Sequence, residues 1–221
     1  MGLGIKDRNR IAKRAAAEIS NGMLVNLGIG IPSLVPNHLT HDHDVMFHAE
    51  NGLVGMGSAP DKGKEDASLC NAGGQPITIR AGASYCDSTV AFGMIRRGLV
   101  DITILGALQV SVAGDLANWI VPGSRVPGMG GAMELAAKAK KVIVLMEHCD
   151  KKGISKIVDS CTLPLTAKKC VHMIITELGV FSITKTGLLL TDIFAACSLN
   201  EIRFKTEASF TVSDNIHILQ E

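Results

Sequence analysis

The chain has 221 residues, with 22 Lys and Arg against 21 Asp and Glu, so its formal net charge is +1. Nucleic acids and anionic membranes attract strongly basic proteins, and this balance argues against both as partners. With 47% hydrophobic and 19% charged residues, the chain can bury a large core. We expect one compact domain over residues 1–221.

The same composition bears on the cellular compartment. No stretch reaches the roughly 18 apolar residues of a membrane span. The basic residues between Lys6 and Arg10 are not followed by the apolar core of a secretion signal. The six cysteines are scattered without a CxxC pair, which is typical of thiols rather than disulfides or a zinc site. We therefore expect a cytoplasmic protein.

The chain opens with a predicted helix, strand and turn. Apolar residues recur at helical spacing over Lys6–Asn21, and Gly22 is placed to end this helix. The apolar run Met23–Leu27 predicts a strand. A glycine turn over Gly28–Gly30 follows, and Pro32 stands where the next helix can begin. This order is that of a βα unit.

The second unit places an acidic residue at a strand end. Val45–His48 predicts a strand, and Glu50 follows it. Residues 58–76 are polar and contain glycine and proline, so they predict a long surface excursion before a strand over Ile77–Ile79. The remaining predicted elements are a helix capped by Asp87 and ended by Gly98, a strand Ile102–Leu105 that ends at Gly106, a helix Ala132–Ala137, a strand Val142–Met146, short strands Met173–Thr176, Val180–Ile183 and Leu188–Leu190 with a hairpin turn at Thr186-Gly187, and a helix that begins at Ser198.

The fold class follows from the most apolar of these strands. Val142–Met146 is apolar without alternation, which indicates a strand covered on both faces, as in a parallel sheet. Only the elements after Lys151 have the short, hairpin-linked pattern of antiparallel strands. We therefore predict an α/β fold with a mostly parallel sheet, flanking helices and an antiparallel element toward the C-terminus.

Three common site chemistries are not favoured. The turn Gly28-Ile29-Gly30 begins like a dinucleotide fingerprint, but Ser33 stands where the third glycine belongs. The chain contains neither the GxxxxGK[ST] pattern of a P-loop ATPase nor the GxSxG elbow of a serine hydrolase. An aromatic share of 4% also argues against stacking on single-stranded nucleic acid.

Two polar clusters are weak candidates for chemistry. His41, Asp42, His43 and Asp44, with His48 beyond them, have the composition of a metal site, but neighbours in a polar loop point apart. A solvated turn is the favoured interpretation. The run 148–150, which is His-Cys-Asp, is favoured as a buried strand end over a cysteine nucleophile with its base.

Glu50-Asn51-Gly52 is a stronger candidate, although an incidental acid in a hairpin-like turn is the alternative. The carboxylate ends an apolar strand and is surrounded by small and apolar residues. A second glycine cluster, Gly128-Met129-Gly130-Gly131, precedes a predicted helix and can direct backbone N–H groups at negative charge on a ligand. A carboxylate beside such amides suggests acyl chemistry, if the fold brings the two together.

These residues resemble a known family. The run 47–55, Phe-His-Ala-Glu-Asn-Gly-Leu-Val-Gly, is similar to the glutamate signature of class I CoA-transferases. The resemblance extends along nearly the whole chain, and the order of its blocks makes chance similarity improbable. The other blocks are Val25–Pro32, Leu116–Gly123, Pro127–Met133 and Cys161–Thr166. The chain resembles the β (B) subunit of a 3-oxoacid CoA-transferase, of the acetate or butyrate:acetoacetate type.

The resemblance implies the CoA-transferase α/β fold and a ping-pong reaction through a glutamyl-CoA thioester on Glu50. It implies no metal or redox cofactor, because CoA enters as the thioester substrate. Family members pair this subunit with an α subunit or fuse the two, so we expect an α2β2 heterotetramer. The alternatives are a succinyl-CoA:3-ketoacid or other carboxylate CoA-transferase subunit, and a non-catalytic binding subunit of the same fold.

The resemblance also assigns roles to residues around Glu50. It gives the oxyanion-binding N–H to Gly131, and the absence of a Cβ at Gly130 and Gly131 allows close approach of the backbone. Asn51 and Asn118 are candidates for substrate binding or for purely structural hydrogen bonds. The glycines of the nearby loops are Gly28, Gly30 and Gly52. Two positions depart from the family pattern: Ala49 replaces a usual serine, and Gly74 stands where some relatives carry a lysine suited to a CoA phosphate.

Overall fold

The computed structural model describes residues 3–40, 43–123 and 128–220. Strands dominate it, and its helices are short. The elements in chain order are α1 (Ile5–Ala16), β1 (Leu24–Leu27), a 3₁₀ helix (Ile31–His38), β2 (Met46–Ala49), β3 (Leu53–Met56), β4 (Ile79–Tyr85), α2 (Ser88–Arg96), β5 (Ile102–Gly106), β6 (Gln109–Ser111), β7 (Leu116–Ala117), α3 (Ala132–Lys138), β8 (Lys141–Leu145), β9 (Ile157–Val158), β10 (Met173–Ile175), β11 (Gly179–Thr184), β12 (Gly187–Phe194), α4 (Leu199–Lys205) and β13 (Phe210–Leu219).

Ten of the strands form one sheet in the order β13-β12-β11-β10-β8-β5-β1-β2-β3-β4. Its five central strands, from β10 to β2, are mutually parallel, which confirms the predicted parallel sheet. The predicted C-terminal antiparallel element is confirmed in β10, β11 and β12. A second antiparallel region, β2–β3–β4, was not predicted. Strands β7, β6 and β9 form a separate small sheet.

Burial explains the central elements. Strand β8 is apolar from Val142 to Leu145, and all four of those residues are buried, because the sheet is covered on both faces there. Helix α1 turns its apolar stripe, which includes Ile11 and Ala15, into the core on one side of the sheet. A second apolar cluster, which includes Val144 and Phe181, fills the other side.

Two helix N-caps were predicted correctly. The Asp87 carboxylate accepts a hydrogen bond from Val90 N and begins α2, while the Ser198 hydroxyl accepts one from Glu201 N and begins α4. The helix expected at Pro32 is present as the 3₁₀ helix Ile31–His38.

Three predicted boundaries are wrong. The strand expected over Leu188–Leu190 extends from Gly187 to Phe194, because it stays paired with β11 and β13 along that length. The first helix ends at Ala16, not near Asn21, because Glu18 N and Ile19 N bond to carbonyls three residues back and tighten the last turn. The strand expected over Ile77–Ile79 begins only at Ile79. Residues 77 and 78 bond instead to Leu69 O and Ser58 O of the long excursion.

Within the described ranges, no helix has both the length and the apolarity that crossing a lipid bilayer requires.

Candidate active site

Glu50 stands in the turn of the β2–β3 hairpin, at the carboxyl end of β2. The last paired residues are Ala49 and Leu53, so Glu50, Asn51 and Gly52 form the connection. Gly52 has φ of +110°, and a Cβ there would collide with the carbonyl oxygen of Cys86. The hairpin therefore requires glycine at this position, and this tight turn presents Glu50 above the sheet.

The two carboxylate oxygens of Glu50 have different surroundings. Oε2 accepts a hydrogen bond of 3.1 Å from Asn26 Nδ2 on the neighbouring strand β1. Oε1 faces the glycine cluster, since a Cβ built on Gly131 would lie 3.5 Å from Oε1 and from Cγ. One oxygen is thus hydrogen-bonded to a residue of the sheet, and the other lies beside the loop that precedes α3.

A cavity of about 450 Å³ contains this carboxylate. Its wall combines the glycine turn after β1, the end of β5 and the start of α3. The lining residues include Asn26, Gly28, Ile29, Glu50, Gly106, Asn118, Met129, Gly130 and Gly131. The cavity lies at the carboxyl ends of parallel strands, where α/β sheets commonly bind ligands. It is large enough for a small acyl group and part of its carrier.

The base of the site contains His48, which is completely buried. Its Nε2 lies 3.2 Å from the carbonyl oxygen of Ala91 on α2, and its Nδ1 lies 3.4 Å from Asn26 Nδ2. Burial lowers the pKa of His48, and the hydrogen bond to Ala91 and the charge of Glu50 only partly offset this. Burial therefore favours the neutral form of the imidazole beneath the carboxylate.

The structure brings four of the predicted site residues to Glu50. Gly28, Gly130, Gly131 and Asn118 line the same cavity. Asn118 Nδ2 donates to the carbonyl oxygen of Gly106, and its Oδ1 accepts from the hydroxyl of Thr166. The Asn118 amide thus links the end of β5 to the loop that contains Thr166, at the cavity wall.

Three other predicted residues lie outside the cavity lining. Asn51 is exposed, and its Nδ2 donates to the carbonyl oxygen of Cys70 rather than to Glu50. Gly30 has φ of +88° and begins the 3₁₀ helix, while Gly52 shapes the hairpin.

Two positions depart from the family pattern. Ala49 is buried at the end of β2, and Gly74 has φ of +73° in the exposed excursion. Pro127 lies outside the described residues.

The polar clusters behave as structural groups where they are described. His41 and Asp42 lie outside the described residues. Among those described, no group of three or more His, Cys, Asp or Glu is placed to bind a metal. His148 is fully buried between the hydroxyls of Thr176 and Thr206, and burial lowers its pKa to about 4. Burial also raises the pKa of the Cys149 thiol, which argues against a cysteine nucleophile there.

Comparison with known proteins decides the family. The family model described as coenzyme A transferase matches residues 8–195. The chain belongs to the coenzyme A transferase family. The β subunit of a probable coenzyme A transferase from Bacillus subtilis is 58% identical over 96% of this chain and 98% of its own length. The resemblance inferred from the glutamate signature is confirmed.

Two further relatives carry more specific names. The β (B) subunit of a succinyl-CoA:3-ketoacid coenzyme A transferase from Helicobacter pylori is 49% identical, covering 93% of this chain and 99% of its own. The β subunit of an acetate CoA-transferase from Escherichia coli is 46% identical, covering 95% of this chain and 96% of its own. The chain is therefore similar to coenzyme A transferase β subunits along nearly their whole length.

The fold agrees with a solved coenzyme A transferase. The apoenzyme of an acyl-CoA transferase from Escherichia coli O157:H7 superposes with a TM-score of 0.79 at 20% identity. The match covers 99% of this chain but 44% of that one, so this coenzyme A transferase chain corresponds to less than half of the solved polypeptide. The predicted CoA-transferase fold is confirmed.

The sequence interpretation missed Asn26, the residue that contacts the Glu50 carboxylate. Asn26 is fully buried in a strand whose other residues are Leu24, Val25 and Leu27. A polar residue in the middle of such an apolar strand is a signal in itself, because an amide buried without hydrogen bonds is costly. Which partner it serves depends on strand pairing, which the local sequence does not specify.

Proposed function

We propose that this coenzyme A transferase chain moves CoA between a short-chain acyl-CoA and a carboxylic acid, with Glu50 as the nucleophile. The observation that carries the proposal is the Glu50 carboxylate itself, bound through Oε2 to Asn26 while Oε1 faces Gly131 in a cavity of about 450 Å³. Membership of the family supports the reaction class.

The first half-reaction transfers CoA to the protein. Glu50 Oε1 attacks the thioester carbonyl, the C–S bond breaks, and a mixed anhydride and the CoA thiolate form. The thiolate then attacks the glutamyl carbonyl of the anhydride. The first acid leaves as its carboxylate, and Glu50 is left as a glutamyl-CoA thioester.

The second half-reaction reverses these steps with another acid. The incoming carboxylate attacks the glutamyl thioester, which releases the CoA thiolate and forms a second mixed anhydride. Attack of the thiolate on the acyl carbonyl of that anhydride yields the new acyl-CoA and regenerates the Glu50 carboxylate. Charge and atoms balance at each step and no oxidation state changes, so the reaction needs no redox cofactor. We propose that it uses no metal either.

Each step passes through a tetrahedral oxyanion, and we assign its stabilisation to the backbone N–H of Gly131. Gly131 is the N-cap residue of α3, so its own N–H is outside the hydrogen bonds of the helix. An N–H directed at a developing oxyanion is worth about 3 to 4 kcal/mol in comparable enzymes. The neighbouring Gly130 has φ of +55°, and a Cβ there would meet nothing within 4 Å.

We propose that the active unit contains an α subunit and has the composition α2β2, in the cytoplasm. The names of the Bacillus and Escherichia relatives as β subunits support a second kind of chain. Exposed apolar side chains near the cavity support a contact there: Ile29 on its wall is 70% exposed, and Met133 on α3 is 46% exposed. An α subunit that covers these side chains would also limit access of water to the acyl intermediates.

For the substrates we propose acetoacetate, acetate or butyrate as the acid. The Escherichia relative is named an acetate CoA-transferase, which supports acetate among these. The Helicobacter relative is named for succinyl-CoA and 3-ketoacids, which supports succinyl-CoA as a second candidate donor. Competition between acetyl-CoA and succinyl-CoA for one complex, measured as kcat/KM for each, discriminates between them.

The test is mass spectrometry of the chain assembled with its α subunit and incubated with acetoacetyl-CoA. We expect a CoA adduct on the peptide that contains Glu50. Glu50→Ala removes the adduct and the transfer activity while the complex stays folded. Glu50→Asp also fails, because its carboxylate is set back by one methylene group from Gly131.

A matched control is Glu147→Ala, which removes a carboxylate that bonds to Leu3 N and does not line the cavity. This variant should form the adduct at the rate of the unmodified protein. Transfer activity in a pure Glu50→Ala complex would refute the assignment of the nucleophile.

A further inference from the structure

Beneath Glu50, three polar side chains form a row across three adjacent parallel strands. In the strand register, Asn26 of β1 is paired with His48 of β2 on one side and with Thr103 of β5 on the other. All three are completely buried. The row ends in valines, because His48 is paired with Val54 on β3 and Thr103 with Val142 on β8. A polar row enclosed in this way needs internal hydrogen bonds.

The hydrogen bonds of the row fix the orientation of the Asn26 amide. Its Nδ2 lies 3.1 Å from both Glu50 Oε2 and His48 O, which can only accept, and 3.4 Å from His48 Nδ1. Its Oδ1 lies 3.1 Å from the hydroxyl of Thr103, which donates. A flipped amide would put its oxygen against all of these acceptors, so the donors have one consistent arrangement.

The tautomer of His48 is fixed from the helix side. Ala91 O on α2 can only accept, so His48 Nε2 carries the hydrogen and Nδ1 presents a lone pair to Asn26. Among the described residues, the charged group that faces this imidazole is the Glu50 carboxylate. Helix α2 and strand β5 thus act on the same amide from opposite sides, through His48 and Thr103.

We propose that His48 and Thr103 are positioning residues that hold the Asn26 amide with Nδ2 toward Glu50, and so keep Oε1 directed at the incoming acyl carbonyl. Neither residue lines the cavity that contains the Glu50 carboxylate. The inference rests on the proposed role of Glu50. It adds that the direction of attack is set beneath the sheet surface, by groups that the substrate does not touch.

The test compares Thr103→Val, which keeps the shape of the side chain but removes the donor, with Thr103→Ser, which restores it. The assembled complex is mixed with acetoacetyl-CoA, and the rate of adduct formation on Glu50 and the dissociation constant of the acyl-CoA are measured. We expect the rate to fall about 10-fold in Thr103→Val, since the hydroxyl that bonds to Asn26 Oδ1 is lost and this buried acceptor is left without a donor. The dissociation constant should change less than about 2-fold, and Thr103→Ser should recover the rate.

His48 is tested in the same way with His48→Phe and His48→Gln. Phenylalanine removes both nitrogens, whereas a glutamine amide again offers a donor group and an acceptor. We expect slow adduct formation in the first variant and recovery in the second. Thr176→Val is the matched control, since Thr176 is a fully buried threonine whose hydrogen bonds involve no residue of the cavity lining.

Equal adduct rates in Thr103→Val, His48→Phe and the unmodified complex would overturn the inference, as would an equal loss of rate in Thr176→Val. Labelling of Glu50 by a water-soluble carbodiimide separates this outcome from failure of the proposed function. Faster labelling in Thr103→Val than in Thr103→Ser supports the positioning role even if acetoacetyl-CoA leaves no adduct on any variant. Equal labelling of the two, like equal adduct rates, refutes it.

Discussion

The fully buried histidines, His48 and His148, show how the interior favours one protonation state. His148 lies between two threonine hydroxyls, and burial lowers its pKa from 6.5 to about 4. The folded protein therefore disfavours the imidazolium, while the unfolded chain binds a proton near pH 6.5. The contribution of His148 to stability is complete above pH 6.5 and is lost as the pH falls from 6.5 toward 4.

This difference predicts acid sensitivity of folding. Between pH 7.5 and pH 4.5, His148 should lower the free energy of unfolding by about 2 to 3 kcal/mol. His148→Gln carries no titrating group and should show a shallower dependence on pH over the same range. Urea unfolding at a series of pH values measures both curves, and parallel curves for the two proteins would contradict the prediction. His48 shifts in the same direction, so part of the pH dependence remains in the variant.

Individual residues show which parts of the candidate site could be predicted from the sequence. Glu50 could be predicted as the candidate reactive group because its strand, its turn and the family signature all lie within residues 45–55. The contact with Asn26 could not, because it joins positions 24 residues apart through the pairing of β1 with β2. Asn51 is adjacent to Glu50 in the chain but bonds to Cys70 O, which agrees with the structural alternative for this residue rather than with a contact to Glu50.

Among the elements, the β2–β3 hairpin controls the site most directly. It requires a positive φ at Gly52 and close approach to the carbonyl oxygen of Cys86. Gly52→Ala should therefore lower the free energy of unfolding. We expect a loss about 2 kcal/mol larger than that of an alanine substitution that causes the strain of a positive φ but no collision. It should also slow adduct formation, because relief of the collision moves the turn that presents Glu50.

The matched control is Gly22→Ala. Gly22 has φ of +79°, and a Cβ there would meet nothing within 4 Å. Urea unfolding of the two variants separates the collision from the backbone strain that both share. Equal losses of stability would show that contact with Cys86 O does not constrain the hairpin.

The elements could be predicted where burial or capping leaves a local pattern. Strand β8 and the caps Asp87 and Ser198 are such cases. Strands β7 and β9 have two residues each, which is too few to show an alternation of apolar and polar residues. Strand β13 lies at the sheet edge and none of its residues is fully buried, so its sequence lacks an apolar run despite its ten residues.

At the scale of the whole molecule, exposed apolar side chains such as Ile29 border the cavity and leave it open to a second chain. We predict that the isolated chain has no measurable transfer activity and that activity appears on addition of the α subunit. Native mass spectrometry of the active material should give two copies of each chain. The Glu50→Ala complex should have the same composition without activity, which separates assembly from chemistry. A single copy of each chain, or activity of this chain alone, would contradict the prediction.

The row Thr103, Asn26 and His48 has a consequence for how the family can change. Each of these side chains is satisfied by its neighbour, so replacing one alone leaves a buried donor or acceptor without a partner. We expect the three positions to vary together across related genomes rather than one at a time. Ile29 on the cavity wall is exposed and takes no part in this row, so a substitution there can reshape the cavity without disturbing the hydrogen bonds beneath Glu50.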